Sequence, residues 1–254
     1  MPGGATRTRR PELPHDMLPA HDSEHSPNFF DEYVLLIEHS RKDIVEKLKE
    51  LKELIASRSL KNFEFHALHS IAFNRHLYEP LLYAKSSLIE IKPVVLENET
   101  ERDFVLDLRA VIGNNGGVLN GKEMYLLRNM SRGKGIGFFE AGNFYPDFIL
   151  WILNGRRQYI NFIDPKGLRN LEGPDDPKIR FYRTIKELEQ QLGDPDVTLK
   201  SFIISGSRLR DIAWWNGGMT KDQFEERHVF FQQEDKDTYI AKLFARALGQ
   251  KTSL

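Results

Sequence analysis

Phe148-Ile-Leu-Trp-Ile-Leu153 is apolar at six consecutive positions. Successive residues of a strand face opposite sides of its sheet, so such a run must be covered on both faces. Asn154-Gly155 follows it as a strong hairpin signal, and Gln158 to Asp164 supplies a return strand, through a connection that reads as longer than two residues. A hairpin central to a sheet requires helices above and below, and the flanking sequence offers them. Asn98-Glu-Thr-Glu101 opens an amphipathic helix with Phe104, Val105, Leu108 and Ile112 on its apolar face, ended by Gly113 to Gly117. Further elements are expected as strands at Gly121 to Leu127 and Gly137 to Ala141, a charged helix at 177–192, strands at Ser201 to Ser205 and His228 to Gln232, and a closing helix at Asp237 to Leu248. The order predicts an α/β fold: a mixed β-sheet core flanked by helices.

Upstream the pattern is different. Residues 1–27 are rich in Pro, Gly, His and charge and lack an apolar run, so they read as a tail or linker and not as a secretory signal. Residues 28–97 form an N-terminal helical extension with short strands. Ser26-Pro27 starts it, and Ile37, Ile44, Leu48, Leu51 and Ile55 mark one helical stripe to about Ser57. A strand is expected near 63–73 and another in Ile89-Glu-Ile-Lys-Pro-Val-Val-Leu96, broken by Pro93. The core then runs from 98 to 254.

Composition narrows the function classes. Thirty-six basic against thirty-seven acidic residues give a net charge of −1, which excludes a polybasic protein but leaves room for a local basic groove. The absence of cysteine removes disulfides, Cys-ligated metals and thiol nucleophiles, and suits a reducing, cytoplasmic location. No stretch approaches the ~18 apolar residues of a membrane span. Gly133-Lys-Gly-Ile-Gly137 does not match a phosphate loop, so no ATP site is expected in this chain.

One constellation carries chemistry. Tyr145-Pro-Asp147 starts one strand of the hairpin, and Asp164-Pro-Lys-Gly167 ends the other. Asp164 and Lys166 share a face, and the hairpin return brings Asp147 beside Asp164. Two converging carboxylates repel unless a cation joins them. Mg²⁺ solves that problem with oxygen ligands, here Asp147, Asp164 and the carbonyl of Pro165, leaving positions for a phosphate; Mn²⁺ is a possible substitute. A nearby lysine can stabilise or help deprotonate the attacking water.

The Pro-Asp pair, the hairpin and the Asp-x-Lys of these strands resemble the PD-(D/E)XK nuclease superfamily. Glu99-Thr-Glu-Arg-Asp-Phe-Val-Leu-Asp-Leu108, Tyr125-Leu-Leu-Arg-Asn129, Phe144-Tyr-Pro-Asp-Phe-Ile149 and Phe162-Ile-Asp-Pro-Lys-Gly167 are similar to the C-terminal nuclease region of type III restriction subunits and related DEAD/DEAH-type helicases. The likeness spans about residues 66–248. It implies a restriction-endonuclease-like sheet, with Asp147 and Asp164 as metal ligands and Lys166 as the catalytic lysine. It also implies a glutamate on the preceding helix near the metal; Glu101 fits best and Glu99 competes. The helix after Asp-x-Lys often carries a polar or basic residue in this family, a part Arg169 or Arg180 would play. The function expected is metal-dependent endonucleolytic hydrolysis of DNA in anti-phage defence, working with a helicase/ATPase domain or subunit that this chain lacks. The alternative is a catalytically inactive nucleic-acid-binding or scaffold module of the same fold.

Arg128, Arg132, Lys134, Arg169, Lys178, Arg180 and Arg183 flank the constellation and are candidate phosphate contacts, although Glu172, Asp175 and Asp176 dilute them. Each singly is also what a solvated face would carry. His66, His69 and His76 read as packing or surface residues, and Trp214-Trp215 as core or partner contacts more than as a stacking platform. Family members commonly cut two strands as dimers, but no residue here demonstrates a homodimer.

Overall fold

A computed structural model describes residues 33–38, 40–57, 59–60, 62–65, 68–71, 81–84, 88–92, 96, 98–114, 119–129, 136–138, 141–142, 144–165, 168, 171–212, 214–215 and 217–250. The expected tail at 1–27 lies outside them.

The N-terminal part comprises β1 (Val34–Ile37), α1 (Lys42–Ala56), β2 (Asn62–Phe65), β3 (Leu68–Ile71), β4 (Leu81–Ala84) and β5 (Ile89–Lys92). The helix expected from 27 to 57 therefore begins only at Lys42. Val34-Leu-Leu-Ile37 is a strand instead, because its burial alternates with period two and it pairs antiparallel with β5. The strand expected near 63–73 divides into β2 and β3, which with β4 make an antiparallel sheet of three. Ile44 and Leu51 of α1 bury against Leu68, Leu82, Ile89 and Ile91.

The remaining elements are α2 (Glu99–Asn114), β6 (Glu123–Arg128), β7 (Phe148–Asn154), β8 (Arg157–Pro165), α3 (Pro177–Leu192), β9 (Val197–Ser205), α4 (Lys221–Glu226), β10 (Val229–Phe231) and α5 (Tyr239–Ala247). Five strands form one sheet in the order β10-β9-β8-β7-β6, parallel from β10 to β8 and antiparallel from there to β6. The chain is thus a mixed α/β protein.

The apolar run in β7 has its two covers. Phe148, Leu150 and Ile152 lie with Phe104, Val105 and Leu108 of α2 and Ile240, Leu243 and Phe244 of α5. Ile149 lies on the other face with Phe162, Leu199 and α3's Phe181, Ile185 and Leu188. Trp151 is the exception at 40% exposure, so the second cover ends before it. Fully burying one such aliphatic or aromatic side chain contributes about 1.5–3 kcal/mol, and two packed faces multiply that along one strand.

Local chemistry sets the boundaries. Asp176 caps α3 by accepting the Lys178 N–H at 2.9 Å, Pro177 occupies the first turn, and Gly193 ends the helix at φ +62°. The β7–β8 connection is tighter than expected: Asn154 pairs with Arg157, leaving a two-residue loop whose first central residue, Gly155, has φ +60°. That is the glycine-first pattern of a type II′ hairpin, whose twist suits the strands it joins. Of the strand expected at Gly137 to Ala141, the described residues show a bridge between Phe138 and Phe144.

His228, just before β10, stacks on Phe202 with ring centroids 4.7 Å apart and sets Nδ1 3.0 Å from the Ser201 carbonyl. Burial pushes its pKa down to about 4. The unfolded chain binds the histidine proton below about pH 6.5 while the folded chain does not, so this group removes stability as pH falls from 6.5 towards 4. Between pH 6.5 and 5 the loss is about 2 kcal/mol. Urea midpoints measured across that window should fall in the wild type and fall less in His228→Gln; equal slopes would refute the assignment.

Candidate active site

The hairpin register places the two aspartates. Phe148 pairs with Ile163, and Asp147 and Asp164 are the next residues outward on their strands. Asp164 also pairs with Ile203 of β9, and Pro165 with Ile204. Both carboxylates are buried, with Asp147 8% and Asp164 1% exposed. They lie at the C-terminal end of β8, where a parallel strand pair in an open α/β sheet leaves its crevice.

α2 brings a third carboxylate to that end. Asn98 caps the helix, its Oδ1 accepting the Glu101 N–H at 3.0 Å, while its amide donates to Glu101 Oε1 at 2.7 Å. Glu101 is 1% exposed and Glu99 is exposed, so the helix turns Glu101 inward and Glu99 outward. Gly206, after β9, makes the approach possible: a Cβ there would sit 2.2 Å from Thr100 Oγ1. Gln232 Nε2 donates to the Thr100 carbonyl at 3.2 Å and fixes the same turn to the end of β10.

Arg128, the last residue of β6, joins the parts. Its Nη1 lies 3.0 Å from Asp147 Oδ1 and donates to the Asp147 carbonyl at 2.7 Å; its Nη2 lies 3.5 Å from Glu101 Oε2. The guanidinium sits 5.2 Å from the Phe148 ring centre, and the residue is 5% exposed. In such low-dielectric surroundings a planar fork between two carboxylates is far stronger than a surface ion pair. Arg128, expected as a phosphate contact, is here buried against two of the carboxylates.

Asn129 was not singled out from the sequence, yet it holds the loop that delivers Asp147. Its amide donates to the carbonyls of Ile136 and Pro146, both at 2.8 Å, and its Oδ1 accepts the Ile136 N–H at 2.9 Å. Its own N–H donates to the Asp147 carbonyl at 2.8 Å. A polar residue directly after Leu126-Leu127-Arg128 is the signal that could have found it.

The other candidates lie apart or outside the described residues. Lys166, Arg132, Lys134 and Arg169 fall outside them, as do His66 and His76. Lys178 and Arg180 are in the first turn of α3, with Lys178 Nζ 5.8 Å from the Phe144 ring centre and Arg180 exposed. Arg183 is exposed on the same helix, stacked on Tyr182. His69 tilts against Tyr83 at 6.0 Å. Trp214 and Trp215 pack beside the α4 core and donate to the carbonyls of Leu168 and Met219, each at 2.8 Å.

Glu101, Asp147, Asp164 and the Pro165 carbonyl offer only oxygen donors, the kind a hard divalent ion takes, so the residue types fit Mg²⁺. Among the described residues no three His, Asp or Glu side chains stand together as a ready metal group. Among them, too, no helix is long and apolar enough to cross a membrane. Comparison with protein-family models, curated proteins and solved structures gave no match.

Asn129→Ala removes the three side-chain bonds and strands buried backbone groups, which should destabilise the protein by about 2 kcal/mol in urea unfolding. A change below about 0.5 kcal/mol would show that the 136–147 segment is held by other means.

Proposed function

We propose that this protein is a metal-dependent endonuclease with a restriction-endonuclease-like core, hydrolysing DNA phosphodiester bonds within a defence system that also employs a helicase/ATPase. The observation that supports it best is the burial of Glu101, Asp147 and Asp164 at one sheet end, on the elements to which the PD-(D/E)XK resemblance assigns them. Burying carboxylates is costly, so a fold that buries Glu101, Asp147 and Asp164 near one sheet end, with Arg128 against two of them, has a use for them.

In this reading Asp147, Asp164, Glu101 and the Pro165 carbonyl hold Mg²⁺. When bound, the ion polarises the phosphate and makes water a better nucleophile at neutral pH. Lys166, two residues beyond Asp164, orients the attacking water and offsets negative charge in the transition state. Asn98 keeps the Glu101 carboxylate directed into the cluster, and Asn129 fixes the backbone that carries Asp147. The exposed arginines of α3 supply the phosphate contacts that lie farther along the strand.

A second reading has its own observation. Arg128 already pairs with Glu101 and Asp147, which is how a non-catalytic nucleic-acid-binding or scaffold module would stabilise an inherited cluster.

Supercoiled plasmid, single-stranded DNA and RNA incubated with Mg²⁺, Mn²⁺ or EDTA separate the two. The nuclease reading expects metal-dependent cutting that falls about 100-fold or more in Lys166→Ala, Asp147→Ala and Asp164→Asn. Cutting that survives all three substitutions would place the chemistry elsewhere. Absence of cutting, with or without an added helicase partner, together with absence of metal binding, would favour the scaffold.

A further inference from the structure

We propose that Arg128 is a built-in counter-cation that competes with the metal: the guanidinium holds Glu101 and Asp147 together before loading, and the ion must take these carboxylates from it. This rests on the metal site proposed above. Three features point to competition. The two carboxylates lie 3.5 and 3.0 Å from the two terminal nitrogens of one guanidinium, so the fork occupies the space between them. All three side chains are nearly excluded from water, leaving little room for a hydrated ion beside the fork. The arginine is also anchored independently of the side-chain pair, through the Asp147 carbonyl at 2.7 Å and the Phe148 ring, so it can give up carboxylate contacts and keep its place.

The role differs from that of a ligand. A ligand's removal weakens metal binding, whereas removing a competitor strengthens it. Without Arg128 the two carboxylates would lose the cation they share, and a divalent ion would take its place against their mutual repulsion. Metal binding should therefore stabilise an Arg128 variant more than it stabilises the wild type.

The experiment uses the full chain without nucleic acid. Mg²⁺ and Mn²⁺ are titrated by calorimetry, and thermal midpoints are recorded with and without metal, for wild type, Arg128→Met, Arg128→Lys and Asp164→Asn. The expected result is about tenfold tighter binding in Arg128→Met, an intermediate affinity in Arg128→Lys and loss in Asp164→Asn. The metal-induced rise in thermal midpoint should also be larger in Arg128→Met than in wild type. Equal or weaker binding in Arg128→Met would overturn the competition and leave the metal site standing. No binding by any of the proteins would overturn both. Should Arg128→Met fail to fold, the guanidinium nitrogens of the wild type decide by NMR. Slowly rotating Nη signals that become averaged at metal saturation support the exchange, and signals unchanged at saturation refute it.

Discussion

A guanidinium buried between two carboxylates sets the terms for the end of the sheet where α2, β6 and the β7–β8 hairpin meet. Removing one member of such a group leaves an unmatched buried charge, at a cost of about 3–5 kcal/mol. The elements that contribute are therefore not free to drift. Asn98 fixes the first turn of α2, Gly206 and Gln232 let that turn sit against the ends of β9 and β10, and Arg128 reaches it from β6. Packing on the two sheet faces supplies the bulk of the stability, but it is indifferent to small shifts along the strands. The ion cluster, with its directional bonds, is what selects one alignment of helix against sheet.

Consecutive residues at the end of β6 divide the labour around Asp147. Arg128 engages its carboxylate and carbonyl from the α2 side, over the Phe148 ring, while Asn129 ties the Pro146 carbonyl to residue 136. Tyr145 lies so close to Gly137 that a Cβ there would fall 2.3 Å from its ring, which draws the 136–138 and 144–147 segments together. A proline before Asp147 cannot donate to any of these bonds, so the positioning must come through carbonyl acceptors. Asn129 provides the donors for them.

The core was legible in the sequence because its signals were redundant. The unbroken apolar run of β7, the amphipathic pattern of α2 opened at Asn98 and the charged stretch at 177–192 each gave a strong signal, and all three elements lie close to where those residues put them. Where one signal had to stand alone it misled. Ile37 extends the α1 stripe by a step of seven and so resembles helix, yet Val34–Ile37 has a strand partner in Ile89–Lys92, too far along the chain for a local pattern to announce. The short α4 carries too few apolar positions to show a period at all. Asp147 and Asp164 could be named because their spacing on strand ends is local information, whereas Glu101 was implied only by the family resemblance. The engagement of Arg128 by Glu101 could not, since it joins a helix and a strand whose contact exists only after folding.

Charge counting connects this cluster to the kind of ligand it suits. Counted as ionised, Glu101, Asp147 and Asp164 carry three negative charges against the single positive charge of Arg128, which pairs with the first two, a formal balance of −2. Lys166, two residues past Asp164 in the sequence, would bring it to −1. A divalent cation then makes it +1, the charge that one phosphodiester neutralises. A monovalent cation would leave the cluster neutral and give a phosphate no electrostatic reason to approach. The arithmetic favours a site that holds its carboxylates with an internal cation until a divalent ion arrives, and that becomes attractive to a phosphate only afterwards. On the proposal that this site takes a divalent ion, the order of loading follows from the charges: the metal would precede the strand, and Arg128 holds Glu101 and Asp147 together until it does.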